Sequence, residues 1–221
     1  MVESRGIVNF LNSIDELMSQ TEVNSVKFLL TEQKIKAKIE NLLSAKVFSA
    51  GSQLLGLSMF DSDIDIAVCV NNKSESRKFS DVLISNGFIY KPLIEEAYRG
   101  FHFGVCTKEI DGIKVDIQLR SQQNIIDLQN EISMLPKWSK AELQNLKRNK
   151  ILNRAIGGAT YVNWKHDLYR KFLPSLILNT PRRTEAEMCI SRNTLFLGQC
   201  TKRAAKNGFC HLHKDERGEL K

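Results

Sequence analysis

Asp63, Asp65 and Asp116 are the residues whose type and setting point most directly to chemistry. Asp63 and Asp65 lie in "DSDIDIAV", where Ile64, Ile66 and Val68 hold the alternate positions of an apolar strand. Residues two apart on a strand share a face, so the two carboxylates point the same way, about 6.6 Å apart at ~3.3 Å rise per residue. Asp116 lies in "IKVDIQL", flanked by Val115 and Ile117 in the same pattern, and a neighbouring strand could set it beside the pair. Carboxylates inside strands are disfavoured and costly unless something pairs them. Three that converge repel one another unless cations sit among them, and magnesium suits an all-oxygen site that shares its shell with phosphates. The plain alternative is three edge or turn carboxylates in an ordinary sheet.

Gly51 and Ser52 supply what such a site lacks. They follow the short apolar run "KVFSA", read as a buried strand, and open the turn and short helix "GSQLLGL". Glycine lets backbone approach a ligand closely, and the free N–H groups of the turn with the Ser52 hydroxyl would suit a phosphate. Asp61 shares parity with Asp63 but is read as a loop residue, because the apolar alternation begins only at Ile64.

An apolar residue, Gly-Ser, a spacer containing Gly56, Ser62 before Asp63-x-Asp65, and a third acid, Asp116, after a hairpin turn: this pattern resembles the DNA polymerase β-like nucleotidyltransferase superfamily over roughly residues 30–120. The resemblance implies an enzyme that moves a nucleoside monophosphate from a nucleoside triphosphate such as ATP to an acceptor hydroxyl. It implies that Asp63 and Asp65 bind two magnesium ions. Asp116 would bind the ion at the acceptor hydroxyl and help deprotonate it, and Gly51 and Ser52 would hold the β- and γ-phosphates. An RNA end is the preferred acceptor. A protein or small-molecule acceptor, as in antitoxin-like or antibiotic-modifying relatives, is the rival reading, and a non-catalytic RNA-binding member of the fold is another.

Near the C-terminus stand Cys189, Cys200, Cys210 and His213. Three thiolates and an imidazole make a closed structural zinc shell, and the surrounding segment has too few apolar residues to fold without help. His211 rivals His213 for the fourth position, and three unrelated free cysteines in a frayed tail are the plain alternative. Cys69 and Cys106 lie in apolar runs and read as small core residues. The odd count of five cysteines does not describe a secreted disulfide framework.

The elements that must position these residues follow from apolar spacing and turn residues. Helices are expected over 6–19, over 31–44 with Thr31 as a cap, and over 76–86 up to Gly87. "FHFGVCTKEI-DG-IKVDIQLR" predicts a hairpin about Asp111-Gly112. Residues 121–134 read as a helix. A further helix is opened by the Ser139/Glu142 capping box and runs to Gly157-Gly158, and another continues to Pro174. The fold class is α/β or α+β: a small mixed sheet flanked by helices over 1–120, a helical basic segment over 121–178, and a small zinc-binding tail over 188–221.

Charge divides along the same line. Residues 1–120 carry 14 Lys+Arg against 16 Asp+Glu, and residues 121–221 carry 18 against 9. The basic half suits a polyanion, nucleic acid first, although a solvated basic surface would look the same. Within 137–172, nine Lys and Arg residues alternate with Trp138, Tyr161, Trp164 and Tyr169. They predict either a grip on a single strand or an amphipathic helix pair whose aromatics are core. His166 reads as a surface or capping histidine. With no apolar run near the ~20 residues that span a membrane, and no secretory leader, the expected location is cytoplasmic. Oligomeric state is not legible.

Overall fold

The polar stretch between the first two apolar-periodic segments does not interrupt the helix. In the computed structural model of the chain, which describes residues 2–59, 62–92 and 102–177, α1 runs unbroken over Val2–Leu43. Thr31 is therefore not a cap. Its hydroxyl donates to the Lys27 carbonyl at 2.8 Å, as Thr21 donates to that of Leu17 at 2.8 Å. A hydroxyl bonded back to the preceding turn is satisfied inside the helix and leaves the backbone ladder intact. Phe28, Ile35, Ile39 and Leu43 form the buried stripe that seats α1 on the sheet.

Five strands follow: β1 (Val47–Ala50), β2 (Ile64–Val70), β3 (Ile89–Pro92), β4 (His102–Ile110) and β5 (Ile113–Ser121). They form one sheet in the order β1-β2-β5-β4-β3. Only β2 and β5 are parallel, and the other neighbours are antiparallel. The Asp111-Gly112 hairpin is as expected, with φ of 51° and 76°, the paired positive values of a tight turn that matches strand twist. β3 was not legible, because four residues on a sheet edge carry too little alternation to signal.

α2 (Lys73–Ser85) begins three residues earlier than its apolar spacing suggests. The Asn72 side chain accepts from the Glu75 N–H at 2.9 Å and caps the helix ahead of its first buried residue. α3 (Gln122–Ser133), α4 (Lys140–Ile156) and α5 (Gly158–Phe172) complete the described chain with a short 3-10 turn over Pro174–Leu176. The Ser139/Glu142 capping box is present in both directions.

Alternation splits β2 and β5 between two faces. Ile64, Ile66, Val68, Val115, Ile117 and Leu119 pack under α1 and α2. The opposite face carries Asp65, Ala67, Asp116, Gln118 and Arg120. Its far end is covered by Ile125 and Leu128 of α3, Tyr169 of α5, and Leu173 and Leu176 beyond it. The cover ends where the aspartates begin, so this face is core at one end and polar at the other. No described helix is long and apolar enough to cross a membrane.

Candidate active site

The parallel pairing of β2 with β5 sets Asp65 directly beside Asp116. Asp63 stands one residue before β2 begins. The sequence-predicted acids are thus brought to one end of one sheet face, and Lys114 stands among them. Its Nζ donates to Asp63 Oδ2 at 2.7 Å and to Asp116 Oδ2 at 2.5 Å. The Thr107 hydroxyl, across on β4, donates to Asp116 Oδ1 at 2.9 Å. Gln118 Nε2 donates to Asp65 Oδ1 at 3.2 Å, and Arg120 Nε fixes Gln118 by donating to its Oε1 at 2.8 Å. The buried Arg120 also reaches Asn124 Oδ1 and the Ser175 carbonyl, so the chain just after α5 anchors the arm that orients Asp65.

Gly51 opens a 3-10 turn over Gly51–Leu55 at the end of β1, the strand beside β2. Its φ is +73°, and a Cβ there would lie 2.0 Å from Asp65 Oδ2. Glycine is needed because the backbone turns left-handed against a carboxylate. Gln53 Nε2 donates to the Asp65 carbonyl at 2.5 Å and pins the turn to β2. Ser52 points its hydroxyl at a buried cation. Lys150 of α4 donates to Ser52 Oγ at 3.2 Å, to the Leu57 carbonyl at 2.7 Å and to Ser62 Oγ at 3.3 Å. That ammonium ties the Gly-Ser turn to the loop that leads into Asp63.

Charge accumulates where these parts meet. Burial, with the Asp116 and then the Asp63 carboxylate adding to it, pushes the Asp65 carboxyl up to about 7, against an opposing pull from Lys165 and Lys114. Partial burial opposes the Lys114 charge, but Asp116 and Asp63 outweigh it and hold that ammonium above the usual lysine range. Burial, with Asp65 nearby, raises the Tyr169 phenol well above its ordinary value. An acid raised in this way gains when a cation settles beside it.

The donor set is oxygen-only and fits magnesium by its chemistry. Asp63 and Asp116 already share one cation, the Lys114 ammonium, at hydrogen-bonding distance. Among the described residues, no three carboxylate, imidazole or thiolate side chains stand gathered as a finished metal cage. The aspartates fit a divalent cation as separate arms rather than as an assembled shell. Cys189, Cys200, Cys210, His211 and His213 lie outside the described residues, as does Asp61.

Lys114, Gln118 and Lys150 were missed as site residues. Only Lys150 had a signal, its place in the basic run, and that run reads differently in three dimensions. Lys150 and Tyr169 are buried, Trp138 and Trp164 pack against the core, and Tyr161 stacks on Trp164 with centroids 6.2 Å apart. Arg148 pairs with Asp15 of α1, and Arg170 with Asp167. His166 is buried rather than superficial. The described aromatics of the helix pair therefore serve packing before any outside ligand.

No protein-family model and no curated protein matches the sequence. Solved structures match the fold. Cid1 poly(U) polymerase with magnesium and 3′-dATP aligns with a TM-score of 0.52 at 16% identity, over 70% of this chain and 52% of that one. Cid1 with its short product ApU gives 0.48 at 14% identity, over 82% and 59%. A cytoplasmic RNA terminal U-transferase gives 0.45 at 15% identity, over 69% and 48%. The chain spans about half the length of these structures. With its five-stranded mixed sheet and its flanking helices, the chain shares the fold of the Cid1 poly(U) polymerase structure with magnesium and 3′-dATP over 70% of its length.

Proposed function

We propose that the chain is a magnesium-dependent nucleotidyltransferase that moves a nucleoside monophosphate from an NTP to the hydroxyl at an RNA end. The observation that carries this reading is the register of Asp65 beside Asp116, with the Gly51-Ser52 turn closed against Asp65. Asp63, Asp65 and Asp116 would hold the ions, which when bound stabilise the attacking and leaving oxygens of an in-line displacement. Asp116, held by the Thr107 hydroxyl, would accept the proton of the acceptor hydroxyl. Ser52, held in place by the buried Lys150 ammonium, would receive the triphosphate's terminal charge. Arg120 and Gln118 keep Asp65 aimed. The chemistry falls within residues 1–120, and the helical segment 121–178 backs it. That the neighbouring Cid1 is a poly(U) polymerase supports RNA as acceptor and makes UTP the first triphosphate to test.

The test is incubation of the full chain with each labelled triphosphate, magnesium and total RNA, beside a protein-only control. Label is expected in RNA, with UTP preferred. Label in the protein band would move the acceptor to a protein hydroxyl. RNA binding without turnover of any triphosphate would leave a non-catalytic module.

The tail over 188–221 is proposed to hold one zinc ion through Cys189, Cys200, Cys210 and His213, and to grip RNA through Lys202, Arg203, Lys206 and Lys214. Elemental analysis is expected to find one zinc per chain, absent from Cys200→Ser. Without a folded tail RNA binding should weaken, and the slope of log affinity against log salt should flatten by about 0.7 for each phosphate no longer held. A wild-type chain without zinc, or a Cys200→Ser chain with unchanged affinity and slope, overturns this role.

A further inference from the structure

Lys114 is a cation inside a carboxylate site. It sits two positions before Asp116 on β5, so the strand presents both to the same face. Its Nζ bonds one oxygen of Asp63 and one of Asp116 and so bridges the two aspartates. Magnesium binds carboxylate oxygen at about 2.0–2.1 Å. An ammonium 2.5 and 2.7 Å from one oxygen of each carboxylate competes, by charge and by space, with a divalent ion for the lone pairs of those carboxylates. The lysine cannot leave with the strand, because β5 is paired on both sides. Only the side chain can move. It has a flexible four-carbon stem, and at 39% exposed it has water to turn into.

We propose that Lys114 is a built-in competitor for the divalent cation, pairing Asp63 with Asp116 and giving up both when the ion binds. The inference rests on the metal role of the aspartates proposed above and concerns the regulation of that site. The lysine neutralises part of the acidic cluster and holds Asp63, which lies outside the strand, against β5. The cation must displace it to gather the three carboxylates, so the site assembles only above a threshold concentration of the ion. A neutral side chain at 114 lowers that threshold, and arginine, with its two-pronged fork, raises it.

Manganese binding, followed by the spin-resonance signal of the free ion, tests this on the full chain as wild type, Lys114→Met, Lys114→Arg and Asp65→Asn. Lys114→Met is expected to bind on the order of fivefold more tightly than wild type, the effect of withdrawing one unit charge from a solvent-screened cluster. A second measurement needs no variant: acetylation of Lys114 in the wild-type chain, read by mass spectrometry, should rise as manganese saturates. If manganese binds the wild type but Lys114→Met gains nothing, or if Lys114 acetylation does not change, the competition is overturned and the metal site stands. If the wild type binds no manganese at millimolar concentration, or Asp65→Asn binds as well as wild type, the metal reading itself falls and this inference falls with it.

Discussion

Asp65→Asn is expected to abolish nucleotide transfer, by on the order of 10³-fold or more, while making the protein more stable at pH 8. The loss follows from removing the carboxylate that lies beside Asp116 in register and against the Gly51 turn. The gain follows from the burial and like-charge repulsion that push this carboxyl from 3.8 to about 7 in the folded chain. Between those values the folded state keeps a proton that the unfolded chain has released. Wild-type stability from this group therefore falls as pH rises from about 4 to about 7 and stays low above it. The expected size is a few kcal/mol, because each pH unit between the two values corresponds to ~1.4 kcal/mol. Asparagine keeps the shape, can still accept from Gln118, and never ionises. Denaturant unfolding in a chelator should show Asp65→Asn ahead of wild type at pH 8 and level with it near pH 4. Transfer at the wild-type rate would refute the catalytic assignment. A variant less stable at pH 8 would show that the ionised carboxylate is favourably held.

Gly51→Ala is the second large effect. A left-handed backbone costs alanine about 1 kcal/mol on its own. Here the new Cβ would also lie 2.0 Å from Asp65 Oδ2 and 2.7 Å from its Cγ, so either the turn or the carboxylate must move. Total destabilisation of about 2–4 kcal/mol is expected, with transfer reduced to near background because Asp65 loses its aim. Gly112→Ala is the control. That glycine has φ +76° with nothing within 4 Å of a would-be Cβ, and it caps a hairpin away from the carboxylates. It should lose about 1 kcal/mol and keep most activity. Equal losses of stability and of transfer in the two variants would mean that the close approach of Gly51 to Asp65 has no special part.

What the sequence determined by itself is local. Strand parity turned Asp65 away from the face of Ile64 and Ile66, although Asp63 falls one residue outside the strand; Asp111-Gly112 closed a two-residue hairpin, and Ser139 with Glu142 capped a helix. Each depends on atoms a few residues apart, where steric and hydrogen-bonding preferences act without help from the rest of the chain. Where local signals were weak, reading failed: the polar middle of α1 looked like a break, and four-residue β3 left no alternation to see. The site needed the tertiary structure. Parallel register set Asp116 beside Asp65, a pairing of residues 51 apart in the chain that no neighbour of either could specify. Lys150 reaches Ser52 across 98 residues and Arg120 reaches Ser175 across 55. Their side chains look like ordinary surface charges in the sequence, since a lysine or arginine is usually solvated. They are buried here because the packing of α4, α5 and the chain beyond α5 on the sheet removes water from them, and hydrogen bonds to backbone carbonyls and polar side chains offset the cost of that burial. Burial is a property of the assembled layers, so it decided which of the many basic residues belong to the site and which remain outside it.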